Sequence, residues 1–104
     1  MTDQELLSGI REVVDAIEPG AQILLFGSRA RGEGDEESDW DLLILVDGPV
    51  NDERADRIRH ALYEIEWEHG IALSPFVLNV EDWENPRSRA TPFYARVREE
   101  GVPI

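Results

Sequence analysis

Leu24-Leu25-Phe26-Gly27-Ser28-Arg29-Ala30-Arg31-Gly32 and, after a short acidic segment, Ser38-Asp39-Trp40-Asp41-Leu42-Leu43-Ile44-Leu45-Val46 decide how this chain reads. The first stretch is an apolar strand that ends in Gly-Ser. The second is an apolar strand that begins with two carboxylates at i and i+2. Alternate residues of a strand share a face, so Asp39 and Asp41 project together, with Cα atoms about 6.5 Å apart. Two carboxylates about 5 Å apart repel by roughly 3 kcal/mol at an effective dielectric of about 20. A divalent cation removes that penalty, and Mg²⁺ usually takes one or two protein carboxylates together with substrate phosphates. A Gly-Ser turn alongside supplies close backbone approach, N–H donors and a hydroxyl. The bland alternative is that two exposed acids blunt the start of a strand.

Working outward, Thr2 with Glu5 forms a capping-box pattern ahead of Leu6, Leu7, Ile10, Val13, Val14 and Ile17, which repeat at helical spacing until Pro19-Gly20. Residues 21–26 read as the first strand, Ser28 to Arg31 as a short helical turn, and Gly32 to Glu37 as a Gly- and acid-rich loop. Residues 40–46 form the second strand. A long helix over 52–69 puts Ala55, Ile58, Leu62 and Ile65 on one face, with Gly70 as its C-cap. Residues 71–80 read as a third strand that Ser74-Pro75 confines to an edge or a bulge. Thr91-Pro92 opens a last helix with Phe93, Tyr94 and Val97, ending at Gly101. The expected order is α-β-α-β-α-β-α: an α/β (α+β) fold with a small mixed sheet flanked by helices. The first two strands should pair antiparallel and bring Gly27-Ser28 against Asp39 and Asp41.

At 104 residues, one domain over 1–104 is expected. The chain has no cysteine, which excludes disulfides and thiolate metal ligands. Met1-Thr2-Asp3-Gln4-Glu5 lacks the features of a signal peptide. The apolar runs Ile23 to Phe26 and Leu42 to Val46 are too short to span a bilayer. The expectation is a cytoplasmic protein without membrane association. All ten basic residues are arginine, and the net charge is −13. Such a surface repels nucleic acid and argues against a polymerase acting on it. The acidity suits a basic protein partner, or a halophilic source.

The G-S, ten residues, D-x-D pattern resembles the motif of the DNA polymerase beta-like nucleotidyltransferase superfamily. The surrounding Gly27-Ser28-Arg29-Ala30-Arg31-Gly32 and Ser38-Asp39-Trp40-Asp41-Leu42 look like its minimal nucleotidyltransferase branch. The sharp match covers about 20 residues, and the order of elements extends it to most of the chain. The resemblance implies that Asp39 and Asp41 hold one or two Mg²⁺ ions bridging the phosphates of ATP. It implies that Gly27 and Ser28 contact those phosphates, with Arg29 either reaching a phosphate or standing solvated beside the acidic loop. Arg31 matches the motif and either touches the nucleotide or braces the loop. Ser38 orients the strand. The resemblance also implies a helical HEPN-type toxin as partner in a hetero-oligomer, with this chain as antitoxin transferring AMP to a tyrosine of it.

One departure matters. Active members of the family it resembles usually carry a third carboxylate on the following strand, and here Ile71 to Val80 contains no Asp or Glu. Ser74 lies near the expected place. This leaves a second reading open, a weak or inactive nucleotide- or partner-binding module. A third is a subunit of a small-molecule (aminoglycoside-like) nucleotidyltransferase. His60 and His69 have no partner at ligand spacing and read as surface or capping residues. Tyr63 and Trp67, four apart on the helix, read either as an exposed contact pair or as residues covered by the segment around Phe93 and Tyr94. Trp40 should point away from its flanking acids into the core. Trp83 has no assignment.

Overall fold

The computed structural model describes residues 2–35 and 37–104. Met1 and Glu36, the latter part of the expected acidic loop, lie outside the described residues. Helix α1 (Asp3–Ile17) starts where the Thr2 hydroxyl accepts the Glu5 N–H at 3.2 Å. Strand β1 (Gln22–Phe26) runs into a single turn, α2 (Ser28–Arg31), and strand β2 (Trp40–Val46) returns. Helix α3 (Asp52–His69) is capped by the Asn51 side chain and stopped by Gly70 at φ 63°. Strand β3 (Leu73–Asn79) is followed by two four-residue turns, α4 (Val80–Trp83) and α5 (Pro86–Arg89). Helix α6 (Pro92–Glu100) begins with the Thr91 hydroxyl accepting the Tyr94 N–H. The two-residue strand β4 (Val102–Pro103) ends the order. The expected sequence of elements is therefore present, with α4, α5 and β4 added to it.

The sheet order is β3-β2-β1-β4. β1 pairs antiparallel with β2 and with β4, while β2 and β3 run parallel across the connection through α3. β2 is central and covered on both faces. Leu42, Leu43 and Ile44 are fully buried, which explains why it reads as a continuous apolar run rather than an alternation.

Two cores result. On one face, Leu6, Ile10 and Val14 of α1 and Ile58, Leu62 and Ile65 of α3 pack on Ile23, Leu25, Trp40, Leu42 and Ile44. On the other, Phe26, Leu43 and Leu45 meet Trp83, Tyr94 and Val97. Each large apolar side chain buried there contributes about 1.5–3 kcal/mol relative to exposure. Trp40 is core, as its position between two acids requires, and Trp83 packs against Tyr94 with ring centroids 4.6 Å apart.

The β3 edge of the sheet is blunted. The Trp40 N–H donates to the Ala72 carbonyl, so even-numbered residues of β3 bond β2 and odd-numbered ones face outward. Of those outward positions, the Leu73 N–H is taken by the Glu66 carboxylate at 3.1 Å, and Pro75 has no N–H to offer.

Candidate active site

The ladder between β1 and β2 sets Phe26 opposite Asp41, and the parallel ladder sets Asp41 beside Ser74. Gly27, the residue after Phe26, therefore lies against the start of β2. It adopts φ 80°, ψ −163°, a region that only glycine enters freely. A β-carbon there would fall 2.2 Å from Asp41 Oδ2, so glycine is required by space as well as by backbone. The chain then closes α2, whose Ala30 and Arg31 N–H groups donate to the Gly27 carbonyl, and Gly32 ends it at φ 73°.

Asp39 and Asp41 share the sheet face that carries Leu43 and Leu45, the side of α6. Asp41 is half-buried and Asp39 exposed. Burial is the main influence lifting the Asp41 carboxyl above its ordinary range. Arg96 opposes it, and the nearby charges of Asp39 and Glu100 add to it. Asp39 is thus near enough for its charge to disfavour ionisation of Asp41. Ser74, at the position expected for a third carboxylate, donates its hydroxyl to Asp39 Oδ2 at 3.1 Å. Among the described residues no group of three or more His, Asp or Glu side chains is gathered to hold a metal. Two hard carboxylates, one of them raised by burial and by its neighbour, are a donor set suited to Mg²⁺ whose remaining ligands are phosphate and water oxygens.

The two arginines of the turn go different ways. Arg29 lies over the Trp40 ring, 4.6 Å from its centroid, and its Nε donates to the Ser38 carbonyl. Trp40 faces α1 and α3, which puts Arg29 on the opposite side of β2 from the Asp41 carboxylate. Arg31 lies on the carboxylate side, where its Nη1 donates to Glu100 Oε2 at 2.8 Å. Ser28, half-buried, opens α2 beside Gly27. Ser38 braces the loop by exchanging hydrogen bonds with Asp35.

Glu100 and Arg96 are the residues that sequence reasoning missed. The Gly27 N–H donates to Glu100 Oε2, and Arg96 lies 3.6 Å from Glu100 Oε1. A signal existed. Phe93, Val97 and Glu100 fall at i, i+4 and i+7, so a carboxylate continues the apolar stripe of α6. His60 is exposed, and His69, in the last turn of α3, lies 3.8 Å from Glu68. Tyr63 and Trp67 are 52% and 73% exposed and meet edge to face. The segment with Phe93 and Tyr94 packs on the other face of the sheet and does not cover them.

A family model for the nucleotidyltransferase domain matches residues 7–97. The chain belongs to this nucleotidyltransferase family. Among relatives of this nucleotidyltransferase, a protein of Methanocaldococcus jannaschii, provisionally named a protein adenylyltransferase, is 43% identical over 58 residues. That match spans 54% of this chain and 57% of the relative, so just over half the length of the archaeal protein is represented. A provisionally named protein adenylyltransferase MntA of Haemophilus influenzae is 27% identical over 79 residues, covering 76% of this chain and 69% of that one. Two solved structures share the fold. One, of a toxin-antitoxin with AMP-PNP, gives a TM-score of 0.65 at 18% identity over 92% of this chain and 69% of that one. The other, provisionally described as a minimal nucleotidyltransferase, gives 0.64 at 23% identity over 100% of this chain and 97% of that one. No helix among the described residues is long and apolar enough to cross a membrane.

Proposed function

We propose that this nucleotidyltransferase is a Mg²⁺-dependent protein adenylyltransferase acting in the cytoplasm as the antitoxin of a toxin-antitoxin pair. The observation that supports it most is the close approach of the Asp41 carboxylate to Gly27, which in this reading would set N–H groups for phosphate beside carboxylates for metal. In this reading Asp39 and Asp41 would hold Mg²⁺, which when bound neutralises the phosphates and the departing pyrophosphate. The Gly27 N–H and the Ser28 hydroxyl would face the β- and γ-phosphates, and Arg31, on the carboxylate side, is better placed to assist them than Arg29.

The transfer joins a tyrosine hydroxyl oxygen of the partner to the α-phosphorus of ATP. The bond from that phosphorus to the bridging oxygen breaks, and pyrophosphate leaves. The hydroxyl proton passes to solvent or to a group of the acceptor protein, because Ser74 stands where a carboxylate base would serve. The partner favoured by resemblance is a helical HEPN-type toxin, and the net charge of −13 suits a basic one. The same acidity disfavours direct binding of nucleic acid.

A second reading, a nucleotide- or partner-binding module with little transfer, is favoured by one observation: Ser74 in place of the third carboxylate. Transfer of label from α-³²P-ATP with Mg²⁺ in source lysate separates the two. A protein band labelled by wild type and not by Asp41→Asn is the expected result. No label from a chain that forms a stable complex with its partner would favour the binding module.

A further inference from the structure

The Gly27 N–H and the Arg31 guanidinium already have an anion. Glu100 Oε2 accepts from both, and its side chain is only 16% exposed. We infer that Glu100 is an internal stand-in for a phosphate, a gate that must swing away before a polyphosphate can enter the turn. This rests on reading the Gly27 turn as the phosphate subsite.

Two features make the gate a side-chain device rather than a movement of α6. Glu100 is the last residue of α6, and two residues on the chain is pinned to β1, with Leu25 opposite Val102 and Leu24 opposite Pro103. The backbone that carries Glu100 is thereby fixed to the strand that carries Gly27. Arg96, one turn back and 3.6 Å from Oε1, offers the carboxylate a second cation to lean on once it leaves. A phosphate oxygen and the Glu100 carboxylate cannot share one N–H, and each repels the other. The apparent affinity for a polyphosphate is then its intrinsic affinity reduced by the fraction of molecules with Glu100 withdrawn. Glu100 is a specificity-setting residue in this sense: it admits only an anion dense enough in charge, or assisted enough by a metal, to displace it.

The test is calorimetric titration of the full chain with two probes, ATP with Mg²⁺ and sodium tripolyphosphate without metal. Glu100→Ala should tighten both by about tenfold, the scale of one hydrogen bond to a charged group. Glu100→Gln, which keeps the shape and a neutral acceptor, should tighten them less but in the same direction, and covers the case in which the alanine variant does not fold. Glu99→Ala removes the same charge from the exposed side of α6 and should change either affinity by less than about twofold, because solvent and salt screen it. Equal affinities for wild type and folded Glu100 variants overturn the gate while leaving the adenylyltransferase reading standing. Tighter tripolyphosphate binding without any Mg²⁺-dependent ATP binding sustains the gate and removes that reading. No binding of either probe by any folded variant overturns both.

Discussion

The carboxylate of Asp41 lies so close to the α-carbon of Gly27 that a β-carbon at residue 27 would fall 2.2 Å from Oδ2. The ladder pairing of Phe26 with Asp41 sets the two segments side by side, so the Gly27 turn and the start of β2 form one rigid unit. Gly27→Ala should therefore damage fold and site together. The backbone conformation alone costs a non-glycine residue about 1–3 kcal/mol. A chain of this size should lose roughly 4–8 °C in Tm per kcal/mol, read by thermal melting. Mg²⁺-dependent ATP binding should fall with it, because the new methyl group displaces Asp41. An alanine variant with wild-type Tm and ATP affinity would contradict the close approach.

Ser74→Asp should restore the carboxylate that β3 lacks. Ser74 stands beside Asp41 in the parallel register and bonds Asp39, so an acid there joins both. Without metal, the third negative charge should lower Tm. With Mg²⁺ or Mn²⁺ the same variant should gain about 2.7 kcal/mol over its own metal-free form at a hundredfold excess of ion over its Kd, a larger gain than wild type shows at the same ion concentration. Equal metal-induced shifts in the two proteins would show that residue 74 does not face the ion.

Acid should weaken the tie between α1 and α3. Arg54 donates through Nε and Nη2 to the two oxygens of Glu18, each at 2.7 Å. These hydrogen bonds hold the Glu18 carboxyl below its ordinary range, against the opposing effect of burial. A carboxyl lowered in the folded state contributes stability at neutral pH. That contribution fades as the pH falls below the ordinary glutamate range and Glu18 takes up its proton. Glu18→Gln should cost about 1 kcal/mol at pH 7. Its melting curve should converge on that of wild type in acid, and a pH-independent difference would refute the assignment.

Trp67→Ser and Tyr63→Ser should leave the isolated chain as stable as before, within about 0.5 kcal/mol, since neither ring is covered by the fold. A larger loss on denaturant titration would mean that the pair is buried in solution against another molecule.

Much of this arrangement was legible in the residues because local chemistry and fold agree. Thr2 and Thr91 precede helices as capping side chains, and Gly70 ends one in the left-handed region. Trp40 had to be core once its two neighbours were assigned to the acid face. The antiparallel pairing of β1 and β2 followed from the short connection between them. Other features depend on contacts between residues far apart in the chain. β4 is two residues long, one of them proline, and has no periodicity to detect; only its pairing with β1 makes it a strand. The turns α4 and α5 are announced by Asn79 and Asn85, whose side chains cap them, but four residues are too few to show a helical pattern. The division of labour between Arg29 and Arg31 is equally non-local. Arg29 stacks on Trp40 and Arg31 bonds a helix some seventy residues later, and nothing in Arg-Ala-Arg distinguishes them.

The capped edge of β3 bears on how such an acidic protein could assemble. With the Leu73 amide taken by Glu66 and proline at 75, two adjacent outward positions offer no donor to an approaching strand. Growth of the sheet from one molecule into the next is thereby discouraged, a guard against fibrillar association. A lasting complex is better made through side chains, and the uncovered aromatic pair on α3 is, with Phe76 and Val102, among the exposed large apolar residues that could contribute to it.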